Sequence, residues 1–368
     1  MLPQGERLNY VFQRHVLHSF PVRDAAYRQK FTRATAHLAA YEEHGPGIPI
    51  GEATFYEFGA GWDLAIPLSY ALLGVGGQVV IDIRPSARIE LVNETIDALE
   101  RLRPELEEAT GHGLRDLGGP VSSIAELEPR FGIRYLAPCD ARATGLPAGS
   151  IDFASSTDTC EHIPAPDLAR IFAESRRLLR PGGAFSCRID LQDHYSYFDP
   201  SLSRYNFLRY SDRTWRLVNS PLHYQNRLRE PDYLELVRDA GLEVVVINPS
   251  GPSEQGRLEL EALPIAQRFR KYPPEELGVT VLSFVAKAPA SKTSRSSCSI
   301  SSGVAGFGLA RLPPRSATAA ASLGRSLSGT PSSLSRVGPA SPASSSTLLA
   351  GSSGAPIAAP KRRTASGA

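Results

Sequence analysis

The sequence is short of several things, and each shortage closes a class of explanation. Its four cysteines, Cys139, Cys160, Cys187 and Cys298, are scattered through 368 residues with no C-x-x-C pair. Three of them sit in apolar strand-like or strand-end contexts, so neither a zinc site nor a disulfide framework is expected, and a reducing cytoplasm fits. Long apolar runs are also missing. The best candidate, Leu64 to Ile83, is broken by Pro67, Gly74, Gly76 and Gly77 and carries Asp82 at its end, which reads as helix, turn and strand and not as a membrane span. Gln4, Glu6 and Arg7 stand where a secretory signal would need an apolar stretch. Acidic residues are absent after Glu276, while nine Lys and Arg follow Ala288. Residues 1–287 therefore hold 31 basic against 38 acidic side chains, a net charge of −7. Such a body argues against a long nucleic-acid footprint, which needs a basic stripe to displace counterions.

Three segments differ in kind. Residues 288–368 are Ser, Ala, Pro, Gly and Arg with almost no aromatics and no periodicity, a composition that cannot bury enough surface to offset ordering entropy. We read them as a disordered low-complexity tail whose one basic cluster is Lys361-Arg362-Arg363. Residues 1–50 carry apolar positions at helical spacing (Tyr10, Phe12, Val16, then Ala25, Phe31, Ala34, Leu38, Ala39) and stop at Gly45-Pro46-Gly47, which predicts a cap of two helices. Residues 51–287 alternate short apolar runs with helical stretches. Strands are expected at 54–58, 78–83, 133–136, 151–155, 184–191, 243–247 and 279–286, and helices at 64–73, 87–102, 167–179 and 231–240. That alternation implies an α/β fold, a parallel sheet with both faces covered.

Chemistry first shows at Phe55-Tyr56-Glu57-Phe58-Gly59-Ala60-Gly61, a strand delivering a G-x-G turn into a helix. Glycines suit a sharp bend that approaches a ligand closely. The next strand ends in Asp82, placed to accept hydrogen bonds from a ribose diol. A dinucleotide fingerprint would want a third glycine three places after Gly61, where Leu64 stands, so a pyrophosphate has a poor cradle. Glu57 would repel such a phosphate and welcome an amino group.

The third piece runs from Cys139-Asp140-Ala141 through Leu146-Pro147 and Asp152 to Cys160-Glu161-His162-Ile163, and closes with Glu174-Ser175-Arg176-Arg177-Leu178-Leu179-Arg180-Pro181-Gly182-Gly183. Pro181 and the glycines are expected to stop a helix and turn the chain into the next strand. Here the sequence resembles the class I S-adenosylmethionine-dependent methyltransferases, in particular the small-molecule subgroup with a D-x-x-x-L-P … E-H-(I/V) … R-P-G-G run. The motifs cover about residues 54–190 and the likeness extends loosely to 287. It implies a doubly wound, seven-stranded Rossmann-like sheet whose last strand inserts antiparallel. It also implies S-adenosyl-L-methionine as cofactor. Gly59, Ala60 and Gly61 would lie under its methionine and ribose, Glu57 near its amino group, Asp82 on the ribose hydroxyls and Ile83 on adenine. Asp140 would take the adenine amino group, the Ala141 N–H the ring, and Ser156 would line the methionine side. Where the family commonly has a small polar residue and glycine after the G-x-G, this chain has Trp62 and Asp63, and Asp63 can cap the following helix.

After the fifth strand, residues 192–230 interleave aromatics with arginines: His194, Tyr195, Tyr197, Phe198, Arg204, Tyr205, Phe207, Arg209, Tyr210, Arg213, Trp215, Arg216, His223, Tyr224, Arg227 and Arg229. As a lid over the reactive end, this stretch suits a planar, sugar-like or anionic acceptor through stacking and bidentate pairing. Equally, its aromatics can be core and its arginines solvated. The expected reaction is methyl transfer to an O or N nucleophile of a small-molecule or saccharide acceptor, needing alignment and no metal. A hydroxyl acceptor needs a base, for which His162 comes first, then His194 and Asp158. An NAD-type Rossmann oxidoreductase and a non-catalytic cofactor-binding module of the same fold are the alternatives, and the oligomeric state stays open.

Overall fold

The computed structural model describes residues 23–111, 113–220 and 224–290. Of the two units into which the chain divides, Met1–Ser296 and Ser297–Ala368, all described residues fall in the first. The helix expected around Tyr10 to Val16, the tail beyond 290 and His223 lie outside the described residues.

Seven strands form one sheet: β1 (Thr54–Phe58), β2 (Gly77–Ile81), β3 (Ile133–Leu136), β4 (Ile151–Thr157), β5 (Leu179–Asp190), β6 (Glu243–Ser250) and β7 (Val281–Lys287), in the order β3-β2-β1-β4-β5-β7-β6. Pairs from β3 to β5 are parallel, and β7 runs antiparallel between β5 and β6. The chain thus winds outward from β1 to one edge, then returns to β4 and winds to the other. Beyond the carboxyl ends of β1 and β4 the connections diverge, leaving a crevice.

The helices are α1 (Asp24–His44), α2 (Ala65–Leu73), α3 (Ile89–Thr110), α4 (Leu127–Phe131), α5 (Ala165–Leu178), α6 (Asp212–Val218), α7 (Glu230–Asp239), α8 (Glu254–Ala262) and α9 (Pro274–Leu277). Period-two alternation assigns the strands' side chains to the two faces. Tyr56, Phe58, Phe185, Cys187 and Phe284 pack with Phe172 of α5 and Val237 of α7. Phe55, Phe153 and Val285 face the other way, against Ala34 and Tyr41 of α1 and Tyr70 of α2. Toward the β3 edge, Val80 and Ile133 join Leu99 of α3 and Leu127 of α4.

Three expectations need correction. The inward stripe of α1 is Tyr27, Phe31, Ala34, His37 and Tyr41; Ala25 and Ala39 are exposed because they fall off that helical face. Helix α3 runs eight residues past Leu102, with Pro104 inside it, and ends at a left-handed Gly111. Strand β5 begins at Leu179, paired with Ile151, so the Pro181-Gly182-Gly183 stretch lies within the strand and is absorbed by a register shift between Ile151 and Phe153.

The lid has a core of its own, and half of it comes from elsewhere in the chain. Tyr205, Phe207, Leu208 and Trp215 pack on Leu260, Phe269, Tyr272 and Leu277, so residues 254–277 complete what 192–230 begins. Two of its arginines are buried and neither is solvated. The Arg229 guanidinium donates to the carbonyls of Leu191 (2.9 Å), Leu277 (2.9 Å) and Val279. Arg227, at φ +60°, donates to Phe207 O (2.8 Å), Tyr210 O (2.7 Å) and Asp212 (2.8 Å) and lies over the Trp215 ring. Arg209, Arg213 and Arg216 are exposed.

Removing the Arg229 guanidinium strands three buried carbonyls. Arg229→Ala should lower the unfolding free energy by about 3 kcal/mol or more in urea titrations, and Arg216→Ala by no more than about 0.5 kcal/mol. Equal effects would mean that Arg229 does not anchor the lid.

Candidate functional site

A cavity of about 410 Å³ opens at the carboxyl ends of β1 and β2 and in the turn after β3, within the usual size for small-molecule sites. Six residues singled out in the sequence line it: Gly59, Asp82, Ile83, Asp140, Ala141 and His162. Arg84, Arg142, Thr159 and Asp167 line it too, and no sequence pattern pointed to them.

The glycine turn is built for close approach. Gly59 and Gly61 adopt φ of +77° and +75°. A Cβ on Gly59 would overlap the Thr159 side chain, whose hydroxyl donates to Gly59 O (3.1 Å) and Thr157 O (3.0 Å). A Cβ on Gly61 would meet nothing within 4 Å. Ala60 and Gly61 continue the turn outside the cavity wall. Leu64, where a third glycine would stand, is itself left-handed (φ 49°) and fully buried. Asp63 accepts from Ala65 N (3.2 Å) at the start of α2 and pairs with Lys30, so it serves as the cap the sequence suggested.

Glu57 and Ser156 sit behind the wall. Glu57 is 3% exposed, its Oε2 has no hydrogen-bond partner, and burial pushes its pKa up to about 8. The Ser156 hydroxyl is buried and donates to Phe58 O (3.4 Å). Asp82 accepts from Arg84 N (3.2 Å), and burial raises its pKa against the hydrogen bonds that lower it. Ile83 is 59% exposed, an apolar surface at the rim.

Asp140 is already engaged. Arg142 donates to it from Nε (3.0 Å to each oxygen), Nη2 (2.7 Å) and its backbone N (2.9 Å), and reaches Asp167 with Nη1 (2.7 Å). Those hydrogen bonds hold the Asp140 carboxyl below its ordinary range. An adenine amino group would have to share this carboxylate with Arg142 or displace it.

At the His162 end the three candidate catalytic side chains share one corner. His162 Nδ1 lies 2.9 Å from Tyr224 O; a carbonyl only accepts, so Nδ1 carries the hydrogen and Nε2 the lone pair of the neutral ring. The His194 ring stands 4.9 Å from His162, edge to face, and stacks 5.3 Å from Tyr197. Its Nε2 is 3.6 Å from Asp190 Oδ2, which also accepts from Tyr197. Burial pushes Asp190 up, but the nearby His194 and hydrogen bonds from Tyr197 and Gln192 N outweigh it and hold the carboxyl low. Asp158, at φ +49°, is committed to Arg33 (2.5 Å) and Arg188, and burial still raises its pKa. One guanidinium occupies each of its oxygens. Glu161 is 2% exposed, and neither carboxylate oxygen accepts from another residue. Its neighbour in the E-H pair drew all the attention in the sequence.

Comparison with known proteins follows the same lines. The family model described as a methyltransferase domain matches residues 122–187. No curated protein matches this sequence. Among solved structures, the chain is similar to a geranyl diphosphate C-methyltransferase from Streptomyces coelicolor A3(2), at 12% identity and TM-score 0.40 over 73% of this chain and 84% of that one. A SAM-dependent methyltransferase from Methanosarcina mazei follows at 15% identity and TM-score 0.34, over 64% and 92%. A [4+2]-cyclase, SpnF, stands at 16% identity and TM-score 0.39, over 70% and 82%. Among the described residues no helix is long and apolar enough to cross a membrane.

Two substitutions separate space from backbone strain in the turn. Gly61→Ala should cost about 1 kcal/mol, the strain of a left-handed alanine. Gly59→Ala, with the Thr159 overlap added, should cost at least about 2 kcal/mol by urea unfolding. Equal costs would remove the close approach of the two loops.

The sheet order with its antiparallel β7 and the glycine turn and acid at the switch point form a Rossmann-like methyltransferase fold, within which residues 122–187 match the methyltransferase domain.

Proposed function

We propose that the enzyme methylates an O or N nucleophile of a small-molecule or saccharide acceptor held between the 410 Å³ cavity and the lid. The observation that carries this reading is the meeting of Gly59, Asp82, Ile83, Asp140, Ala141 and His162 in one cavity with a histidine pair at its edge. One feature fits the cofactor: Glu57 Oε2, a buried acceptor that no residue of the protein serves. When bound, S-adenosylmethionine supplies a sulfonium methyl that is already strongly electrophilic.

The chain's own work is then alignment and proton handling. Asp82 accepts the ribose hydroxyls, Ile83 covers adenine, and Asp140 with the Ala141 N–H reads the adenine edge. Gly59, Ala60 and Gly61 let the backbone pass under the ribose and methionine, with Ser156 supporting the turn from behind. His162 Nε2 stands where an acceptor hydroxyl would lose its proton. His194 flanks it, and Asp158 orders Arg33 and Arg188 behind the pair. Tyr197 and Phe198, 55% and 63% exposed, offer a surface on which a ring can stack.

Glu57 makes this testable through protons. Its pKa in the empty fold, about 8, lies above its ordinary value of 4.5. Its protonated form therefore stabilises the empty protein fully below pH 4.5, and that contribution is lost as pH rises through about 8. A cationic amino group needs the carboxylate, so binding at pH 7 should release close to one proton. Titrating S-adenosylhomocysteine in buffers of different ionisation enthalpy measures this release, and Glu57→Gln should abolish it. Asp82→Ala should weaken the same binding by about 1.5 to 3 kcal/mol. His162→Ala should cut turnover by about 10² or more with that affinity intact. Unchanged binding in the Asp82 variant would refute the assigned ribose contact.

A further inference from the structure

Glu161, His162 and His194 each offer one ligand atom, and the three atoms lie within 4.8 Å of one another. A cation held at about 2.1 Å by such ligands sets its donors about 3 to 3.5 Å apart, so small side-chain rotations close the set. The tautomer of His162 is right for it, since a carbonyl holds Nδ1–H and turns the lone pair to Nε2, the arrangement that orients metal-binding histidines.

The electrostatics point the same way. Asp158, Glu161 and Asp190 converge on this corner and influence one another. The guanidiniums of Arg33 and Arg188 both pair with Asp158. Asp190 accepts from Tyr197 and Gln192 N, with His194 Nε2 3.6 Å away. Glu161 is left buried with two carboxylate oxygens that no other residue serves, an arrangement that is costly unless a ligand completes it.

We propose that Glu161, His162 and His194 form a binding site for a divalent transition cation, with open coordination positions directed to the cavity that His162 lines. Two imidazoles and one carboxylate favour zinc, manganese, iron(II) or cobalt over magnesium or calcium. The site departs from the metal-free expectation of the sequence. It rests on the methyl-transfer reading only in its use: an acceptor oxygen on the cation would be fixed in line with the donor methyl, and the histidines would then act as ligands in place of a base.

The test uses the full chain and cobalt(II) chloride alone, read by visible absorption and by calorimetry. The wild type should bind one cobalt with a Kd well below about 1 mM and show ligand-field bands of a nitrogen-coordinated ion. Glu161→Gln and His194→Ala should each weaken binding at least about tenfold. His194 is at the edge of the corner, so its variant answers the question even if the buried Glu161 variant fails to fold. S-adenosylhomocysteine, titrated into the same samples, separates the two readings: its loss with cobalt binding retained would sink the methyl-transfer reading and keep the metal site. Wild-type affinity weaker than about 1 mM, or binding indifferent to His194→Ala and to any folded Glu161→Gln protein, overturns the proposal.

Discussion

The site depends on how closely two loops pass at the sheet's switch point. Gly59, leaving β1, and Thr159, leaving β4, approach until no Cβ fits between them, and the Thr159 hydroxyl ties the two loops by its bond to Gly59 O. Gly59 N in turn donates to Ile81 O (3.1 Å), which fixes the turn to β2 and so to Asp82. One short contact thereby sets the distance between Asp82 and the loop that carries Glu161 and His162. The two walls of the cavity are coupled through it, so that a change at either loop is felt at the other.

The lid solves a different problem. The insertion after β5 must pack with no sheet of its own. It does so by sharing a small aromatic core with residues 254–277 and by clamping both parts to the main body through Arg229, whose donors reach the ends of β5 and the approach to β7. Most of the aromatics that made residues 192–230 conspicuous are used in this way. What stays exposed beside the histidine pair is narrower: Tyr197 and Phe198.

How much could be read from the residues alone follows from the range of the forces involved. Strand positions were legible because alternation and apolar runs are local, and all seven strands stand within a few residues of their expected places except the start of β5. There the Pro-Gly-Gly signal is a true turn signal that the register shift with β4 overrides. Gly59, Asp82 and Asp140 meet in one cavity because each follows the carboxyl end of a strand, Gly59 and Asp82 directly after β1 and β2 and Asp140 in the turn after β3. The chelation of Asp140 by Arg142 was not legible, since nothing in a D-A-R triplet says that the arginine folds back and reaches Asp167. The partnership of His162 with Glu161 and His194 was half visible: two histidines were noted, but the unsatisfied Glu161 between them appears only when burial is known. The burial of Arg227 and Arg229 and the contribution of residues 254–277 to the lid depend on contacts across dozens of residues and left no local trace.

The most direct test of the account is a crystal structure of the full chain grown with S-adenosylhomocysteine. The account places the ribose on Asp82, the adenine between Ile83 and the Asp140-Ala141 turn, with Arg142 yielding part of Asp140, and the sulfur directed toward His162. A ligand bound outside this cavity, or one whose ribose ignores Asp82, would contradict it.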